Sequence, residues 1–551
     1  MTQSPYCRYM WVALLLIATG LRLTGPDWDG GIAAHPDERF IVGVAQSAPL
    51  YGDICAAASD FPYGHLPLAV AQLIALVAPE ADPLYAVRLV SGLLGVLIVA
   101  LAGACGRLLG GRDTALLSGA LAAFSPFLIQ QAHFYTVDPW AAAFVCGSVL
   151  AGARRHWWWA GILLGLGLAS KISVAVTLLP LLWSIVRTTG PASETPGEGD
   201  DLGEAFRTIA TVFAGAIVAF GLASPWALLR PVACWRGPLI QSLMVTGRYE
   251  VPYTQQYAGT LPYLYPLVQM ALWGLGPLVV PLGALGLAQM VLSGDRPGNH
   301  LPWLWTIIFF GVVGATQVKF PRYMLPLYPW WTAWAAHFLT SRQQSRCEGT
   351  PWTWLLATAS VLATTAFLGL AQVSLYGLPH PWVTASRWLY TNVTAGSTVA
   401  VETWEHPLPV PLPEGDHISL EQTFVPVYGE EDDEKRAALD AAGSADVVVV
   451  ASRRAYGALA QQPRRYEMTL DWYRRLLSTR NVQLFTRCPR VGPLAITDDP
   501  LRAAGLVTSP VRIPPLTERC GARWALRLPR LDESYRVYDA PLTLLLLDDL
   551  P

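Results

Sequence analysis

Ionisable residues gather in four short motifs of an otherwise apolar chain. In chain order, the motifs carry Asp37 with Glu38, then Asp138, then Lys171, and finally Lys319 with Arg322. A carboxylate can accept the proton of an attacking hydroxyl group, and lysine and arginine bind phosphate groups. Ionisable residues at membrane depth are costly and usually serve a function. These residue types predict group transfer from a phosphate-linked donor to an acceptor hydroxyl.

Composition places these motifs in a membrane protein. Hydrophobic residues make up 53% of the 551 residues and charged residues only 14%, whereas soluble domains contain about 25% charged residues. Residues 1–376 hold 37 charged side chains, and the much shorter stretch 377–551 holds 41. The net charge of −2 provides no basic field for nucleic-acid binding. We expect a membrane domain at 1–376 and a soluble domain at 377–551.

Several apolar segments approach the roughly 20 residues that a membrane-spanning helix needs. They lie at about 9–23, 84–106, 113–130, 139–153, 208–228, 265–292, 302–318, 323–340 and 352–376. A further apolar stretch, 157–187, is interrupted by Ser170 and Lys171. One tilted helix or two short helices would fit this stretch.

The distribution of basic residues favours two crossings. Short cytoplasmic loops collect lysine and arginine. If 157–187 crosses twice, one side of the membrane collects Arg8, Arg107, Arg112, Arg154, Arg155, Arg187, Arg207, Arg296, Arg342 and Arg346. This rule predicts about eleven spans in the plasma (cytoplasmic) membrane, with a cytoplasmic N-terminus and an extracytoplasmic C-terminal domain. The polar stretch 188–206 is then a cytoplasmic linker.

Under this topology the four motifs lie at the outer face of the membrane. The first outer loop, about 24–83, contains an apolar stretch at 66–79. This stretch is too short for a span and suits an interfacial helix. One outer cavity would then contain carboxylates, histidines and at least two cations.

The C-terminal domain has a mixed pattern. Residues 397–403, 446–451 and 541–547 alternate or run apolar like strands, whereas 454–461 and 469–478 have helical patterns. No glycine-rich phosphate loop follows a strand, so no nucleotide cofactor is expected. We therefore predict a membrane all-α protein with a C-terminal soluble α/β domain.

The motifs resemble those of the GT-C superfamily of membrane glycosyltransferases, of the protein O-mannosyltransferase and aminoarabinose-transferase type. The resemblance covers most of the membrane part and rests on the order and spacing of several pieces. They are His-Pro-Asp-Glu at 35–38, Tyr-Gly-His-Leu-Pro at 63–67, Arg88, the stretch 125–139, Gly-Leu-Gly-Leu-Ala-Ser-Lys at 165–171 and Lys-Phe-Pro-Arg-Tyr at 319–323.

The resemblance implies a GT-C-like membrane domain and a reaction. A sugar would pass from a polyprenyl-phosphate carrier to an acceptor hydroxyl on the exoplasmic side, with inversion at the anomeric carbon. The expected partners are the polyprenyl-phosphate-linked sugar, the lipid bilayer, and an acceptor that is a glycan, a lipid or a protein. The sugar, the acceptor and the prenyl length stay open.

The resemblance also implies roles for individual residues. Asp37 matches the general base and Asp138 the second acidic position, with Glu38 as a further catalytic candidate. Lys171 and Arg322 match positions that meet the carrier phosphate. The further candidates for phosphate binding are Lys319 and Arg88.

Each of these residues also has a purely structural interpretation. Asp37 and Asp138 lie beside prolines at expected helix starts, where aspartate is a favoured cap. Lys171 could extend to the membrane interface as an anchor, and Arg322 could be an ordinary interfacial arginine.

Histidines and cysteines leave two questions open. His35, His65 and His133 would all lie outside and could hold a divalent metal ion with the nearby carboxylates, although a buried, hydrogen-bonded histidine is the favoured interpretation for each. Cys488 and Cys520 share the exported domain, where a disulfide bond is one option.

Two other functions compete with the glycosyltransferase. A secondary transporter for lipid-linked or small polar solutes would usually carry charges near the midplane and show inverted repeats, and neither is evident in the sequence. A non-catalytic scaffold or receptor would use the exported domain for binding.

Overall fold

The chain forms two units that are defined by their internal contacts. The computed structural model describes residues 5–48, 50, 52–58, 61–189, 201–293, 300–344, 351–412, 418–498, 506, 520–529 and 531–548. The first unit comprises Met1–Pro26, Pro36–Gly247 and Pro262–Leu370, and the second comprises Asp27–His35, Arg248–Leu261 and Ala371–Pro551. The boundary at residue 376 stays a prediction from composition. Residues 190–200 of the expected linker 188–206 lie outside the described residues.

The first unit is built from helices. They are α1 (Pro5–Leu23), α2 (Pro36–Ser47), α3 (Ile54–Ala57), α4 (His65–Val77), α5 (Pro83–Ala123), α6 (Pro126–His133), α7 (Val137–Ala153), α8 (Trp157–Leu168), α9 (Leu178–Thr189), α10 (Asp201–Ala223), α11 (Pro225–Leu229), α12 (Pro231–Cys234), α13 (Arg236–Val245), α14 (Leu264–Gln269), α15 (Val279–Leu292), α16 (His300–Gly314), α17 (Tyr328–Gln344) and α18 (Pro351–Val373), whose end passes into the second unit. Short 3-10 helices at Ile172–Thr177 and Pro321–Leu327 precede α9 and α17.

Helices long and apolar enough to cross a membrane occur in the described part of the chain. By length and composition they are Pro83–Ala123, Ile172–Thr189, Leu202–Ala223 and Trp352–Asn392. Shorter apolar helices accompany them, among them α7, α8, α15 and α16. The chain is therefore a membrane protein, as its composition predicts, while the number of crossings and their direction stay predictions.

The stretch 157–187 is broken where the sequence places Ser170 and Lys171. Helix α8 ends at Leu168, and the chain resumes as the 3-10 helix Ile172–Thr177 that leads into α9. The amide groups of Ser170 and Lys171 both donate to the carbonyl oxygen of Gly167. This stretch therefore forms two helical segments, and Lys171 lies at the break.

Helix α5 joins two of the predicted spans and is anchored to α1. Gly111 interrupts it with φ +84°, a conformation that glycine adopts without a steric penalty. The buried guanidinium of Arg22, at the end of α1, donates to the carbonyl oxygens of Ala122 and Ala123. These carbonyl groups end α5 and lack partners within the helix, so Arg22 caps it.

The second unit contains strands and further helices. The strands are β1 (Thr398–Glu402), β2 (Glu421–Val425), β3 (Val447–Val450), β4 (Asn481–Phe485), β5 (Arg490–Val491), β6 (Leu494–Thr497), β7 (Trp524–Arg527) and β8 (Thr543–Leu547), and the helices are α19 (Pro381–Asn392), α20 (Asp433–Gly443), α21 (Arg454–Leu459), α22 (Glu467–Thr479) and α23 (Glu533–Arg536). Strands β1, β3 and β8 and helices α21 and α22 fall where the sequence predicts them. The expected α/β domain is confirmed.

Two sheets organise this unit. The larger has the order β2-β1-β3-β8-β4, with β1 parallel to β2 and β3, and β8 antiparallel to β3 and β4. Strands β3 and β8 are buried along their whole length, which explains why both read as continuous apolar runs. The smaller sheet has the order β5-β6-β7. A disulfide bond joins Cys488 to Cys520.

Candidate active site

Glu38 is held in the first turn of α2 by three hydrogen bonds. Its carboxylate is fully buried and accepts two bonds from the guanidinium of Arg88 in α5, Nε to Oε1 at 3.0 Å and Nη2 to Oε2 at 2.8 Å. The backbone amide of Tyr135 donates a third bond to Oε1 at 2.7 Å. The two bonds from the guanidinium and the third from the amide offset the cost of burying the charged carboxylate.

Asp138 forms a second buried pair in the first turn of α7. Its side chain is 3% exposed, and its Oδ1 lies 2.5 Å from Nζ of Lys171. The ammonium group of Lys171 also lies 4.4 Å from the ring centre of Tyr323, within the range of a cation–π contact.

Arg322 joins the two aspartates into one cluster. Its Nη1 lies 3.4 Å from Oδ2 of Asp37, and its Nε lies 3.7 Å from Oδ2 of Asp138. We call Asp37, Asp138, Lys171 and Arg322 the charge cluster. It collects one side chain from each of the four sequence motifs, and its formal charges balance.

The remaining predicted cations lie elsewhere. Arg88 is engaged with Glu38 and with the carbonyl oxygen of Pro26. Lys319 is buried and donates to the carbonyl oxygen of Gln317 at 3.0 Å. Burial lowers the pKa of Lys319 from its usual value. The structure gives no direct contact between Lys319 and the charge cluster among the described residues.

The three histidines have different contacts. His35 belongs to the second unit, where its ring lies 4.3 Å from that of Tyr538. His133 has its ring nitrogens 2.8 and 2.9 Å from the carbonyl oxygens of Ile129 and Thr24. His65 lies near Cys55, with its Nε2 at 3.9 Å from the sulfur. Among the described residues, the one group with metal-ligand geometry contains His65 alone of the three, and a site built from all three histidines stays a prediction.

A different group has the geometry of a metal site. The ligand atoms of Cys55, His65 and Cys234 lie within 4.8 Å of one another, and all three residues are buried. The two sulfur atoms are joined as a disulfide bond. Sequence analysis missed this group because its two cysteines are 179 residues apart.

Two contacts that the sequence did not predict support the cluster. The hydroxyl of Tyr135 donates to the carbonyl oxygen of Pro67 in α4. Gly64 and Leu66 donate their amide groups to the carbonyl oxygens of Ser170 and Ala169, beside Lys171. A Cβ atom on Gly64 would collide with the carbonyl group of Ala169, so this close approach requires glycine. The only sequence signal was the position of these residues within the quoted motifs.

Part of the chain matches a known family. Residues 66–192 match the family model described as Dolichyl-phosphate-mannose-protein mannosyltransferase. This range includes Arg88, Asp138 and Lys171, whereas Asp37 and Arg322 lie outside it. No curated protein matches the chain.

Two solved structures are similar to this chain. The oligosaccharyltransferase of Archaeoglobus fulgidus in the apo form aligns with a TM-score of 0.50 and 13% identity over 88% of this chain and 74% of that chain. The ArnT protein of Cupriavidus metallidurans in the apo state aligns with a TM-score of 0.48 and 16% identity over 87% of this chain and 93% of that chain. The predicted resemblance is confirmed for one segment and for the fold: residues 66–192 match the mannosyltransferase family model, and the chain has the fold of the Archaeoglobus fulgidus oligosaccharyltransferase.

Proposed function

We propose that the protein is an integral membrane glycosyltransferase that moves a sugar from a polyprenyl-phosphate carrier to an acceptor hydroxyl on the exoplasmic side. The observation that carries the proposal is the charge cluster, in which Arg322 lies between Asp37 and Asp138 while Lys171 pairs with Asp138. Two carboxylates and two cations in one buried place match what transfer from a phosphate requires.

Asp37 is the proposed general base. Its contact with Arg322 is long, at 3.4 Å, whereas neighbouring Glu38 is fixed by shorter bonds from Arg88 and Tyr135. We propose that the longer contact lets Oδ2 of Asp37 accept a proton, whereas the two bonds from Arg88 occupy both oxygens of Glu38. Glu38 then serves the reaction by positioning Asp37 in the first turn of α2.

Lys171 and Arg322 are the proposed donor-binding cations. When a carrier phosphate binds, its oxygens would compete with Asp138 and Asp37 for the same two side chains. This exchange would loosen the hold of Arg322 on Asp37 as the donor arrives. Lys319, which has no carboxylate partner among the described residues, is a proposed further contact for the phosphate.

The proposed step balances in atoms and charge. The acceptor oxygen attacks the anomeric carbon while Asp37 takes the hydroxyl proton. The bond between the anomeric carbon and the phosphate oxygen breaks, and its electron pair leaves with the polyprenyl phosphate. Lys171 and Arg322 stabilise the charge that develops on the leaving group. Attack from the face opposite the phosphate inverts the anomeric centre.

The sidedness of the reaction rests on the distribution of basic residues in short loops. The membrane domain at 1–376 is proposed to contain the cluster, and the domain at 377–551 is proposed to be extracytoplasmic. Labelling of single added cysteines with a membrane-impermeant reagent tests this topology. We expect labelling at position 82 of intact cells or spheroplasts and none at position 107.

Transfer itself is tested with purified protein. The protein receives synthetic short-chain prenyl-phosphate sugars and a panel of glycan, lipid and peptide acceptors. We expect release of prenyl phosphate that depends on an acceptor, and a product whose anomeric configuration, read by NMR, is opposite to that of the donor. A product with retained configuration would contradict the proposed single displacement. Failure of every donor to bind would contradict the proposed donor class.

A further inference from the structure

The Cys55–Cys234 disulfide lies at a place where three separate segments of the first unit meet. Cys55 belongs to α3, Cys234 ends α12, and His65 begins α4. All three side chains are buried. The ring Nε2 of His65 lies 3.9 Å from the sulfur of Cys55. Two cysteine sulfurs, 179 residues apart in sequence, and one imidazole therefore converge at this place.

Two buried polar atoms lie beside this group in otherwise apolar surroundings. A cavity of about 30 Å³ is lined by His65, Ser224 and Cys234, among others. Nδ1 of His65 and Oγ of Ser224 are buried and have no hydrogen-bond partner within the described part of the chain. A cavity of this size can hold one water molecule, since about 10–15 Å³ suffices.

We propose that Cys55, Cys234 and His65 bind one Zn²⁺ ion, or a similarly thiophilic cation, when the disulfide is reduced. Zinc prefers cysteine thiolates and histidine nitrogen in tetrahedral sites. Bond lengths of about 2.3 Å to sulfur and about 2.0 Å to nitrogen place these two ligand atoms about 3.5 Å apart across a tetrahedral angle. The observed 3.9 Å is close to that separation. A water molecule in the adjacent cavity supplies the fourth ligand.

The disulfide and the metal site exclude each other, and a reduction followed by metal binding converts one into the other. An external dithiol reduces the disulfide to two cysteine thiols and is itself oxidised to a disulfide. Binding of one Zn²⁺ then releases two thiol protons, because the thiolates are the ligands. The redox state of the compartment thus determines whether a covalent bond or a cation joins α3 to α12.

The site also touches the segment that carries Lys171. His65 follows Gly64, whose amide donates to the carbonyl oxygen of Ser170. A cation bound by His65 would fix the start of α4 against the break between α8 and α9. The proposed ligand His65 thus lies one residue from the backbone contact that holds the Lys171 segment, and a bound ion would support that contact.

Metal binding by the full-length protein in detergent tests the proposal. Protein reduced with a dithiol, freed of metal by a chelator and exchanged into metal-free buffer is titrated with Co²⁺, which gives a visible spectrum with thiolate ligands, and with Zn²⁺, which is counted by mass spectrometry of the intact protein. We expect one tight ion per reduced chain and none per oxidised chain. His65→Gln should weaken binding by at least about a hundredfold, the upper end of the cost of losing an outer-shell partner.

Matched controls separate this site from adventitious binding by thiols. Cys105 and Cys146 are also buried, with their sulfurs 3.4 Å apart, and belong to no three-residue ligand group among the described residues. Cys105→Ala with Cys146→Ala should bind the ion like the wild type, and so should Cys488→Ser with Cys520→Ser. Cys55→Ser with Cys234→Ser should bind none.

Three outcomes would overturn the proposal. Reduced wild type that binds no more metal than the Cys55→Ser, Cys234→Ser variant contradicts it, and so does a His65→Gln variant with wild-type affinity. His65→Gln keeps both cysteines and the disulfide, so it tests the site even where the double serine variant does not fold. The proposal is also contradicted if the reduced wild-type protein no longer elutes like the native protein and Zn²⁺ does not restore the native elution.

Discussion

The backbone amide of Tyr135 donates a 2.7 Å hydrogen bond to Oε1 of Glu38. Glu38 follows Asp37 in α2, and Tyr135 lies three residues before Asp138, so this bond ties the segments of the two aspartates together. Arg88 holds the same carboxylate from α5. The proposed catalytic carboxylates therefore share a buried support in addition to their shared contact with Arg322.

Breaking the Glu38–Arg88 pair by removing one partner should strongly destabilise the fold. Replacing both residues together should cost much less. Glu38→Ala leaves a buried guanidinium without its partner and should lower the free energy of unfolding by about 3–5 kcal/mol. Glu38→Leu combined with Arg88→Met should recover most of that loss, but turnover should stay low because Tyr135 has lost its acceptor. Thermal unfolding and transfer rates of the purified variants measure both effects.

The exposed pair Arg230–Asp53 is the matched control for this prediction, because its side chains are 55% and 21% exposed. Asp53→Ala should cost no more than about 1 kcal/mol, as is usual for surface ion pairs. Equal losses for Asp53→Ala and Glu38→Ala would contradict the support role of Glu38.

Arg322 should be irreplaceable by lysine. Its guanidinium reaches Asp37 with Nη1 and Asp138 with Nε, and one ammonium group cannot present both donors in that fork. Arg322→Lys should raise the KM for the donor and lower kcat by at least about tenfold, a loss of about 1.4 kcal/mol in transition-state stabilisation. The exposed Arg107 in α5 provides the control, since Arg107→Lys should leave both constants unchanged. Normal kinetics of Arg322→Lys would mean that the bridge has no part in the reaction.

Gly64 should be far less tolerant of a methyl group than Gly43. A Cβ atom at Gly64 collides with the backbone of Ala169 and Ser170, whereas nothing lies within 4 Å of one at Gly43. Gly64→Ala should cost about 1–3 kcal/mol through overpacking and weaken donor binding by displacing the Lys171 segment. Gly43→Ala, in the exposed part of α2, should be neutral or slightly stabilising. Thermal unfolding and donor titration compare the two variants. Equal stability and equal donor affinity of the two would contradict the close-packing argument.

Glu402 should make the second unit less stable at alkaline pH. Burial, reinforced by nearby Glu405, raises its pKa well above the usual value, and Tyr473 donates a hydrogen bond to it. Because the folded pKa lies above the unfolded one, the contribution of Glu402 to stability is complete below the unfolded pKa and is lost as the pH rises through the folded pKa. Glu402→Gln should therefore flatten the fall in Tm as the pH rises above the usual pKa of a glutamate.

Glu421→Gln, at an exposed position of β2, serves as the control and should keep the wild-type pH dependence. A Glu402→Gln variant with the same alkaline fall as the wild type would show that another group causes it.

The sequence was informative about which residues are chemically important and less informative about their partners. Asp37, Asp138, Lys171 and Arg322 stood out because charge is rare in an apolar chain, and the structure brings them together. Glu38 and Arg88 were predicted as separate site residues, yet they pair across 50 positions. Periodicity reports local structure and carries no information about such contacts. The same limit hid the group at Cys55, His65 and Cys234.

Strands β1, β3 and β8 were predictable for a physical reason. Their apolar runs match strands that are buried on both faces. The order β2-β1-β3-β8-β4 was not predictable, because β8 inserts beside β3 from the far end of the domain. Burial explains the run of apolar residues but does not specify the neighbouring strand.

The rate of a single turnover by Asp37→Asn tests the central claim most directly. Enzyme in excess over a labelled prenyl-phosphate sugar is mixed with acceptor, and the transfer rate is compared with that of the wild type and of Asp82→Asn. Asp82 is an exposed carboxylate that caps α5, and asparagine caps a helix equally well. We predict that Asp37→Asn binds the donor but transfers it about 10²–10⁴ times more slowly, while Asp82→Asn transfers at the wild-type rate. A rate for Asp37→Asn within about twofold of the wild type would contradict the role of Asp37 as general base.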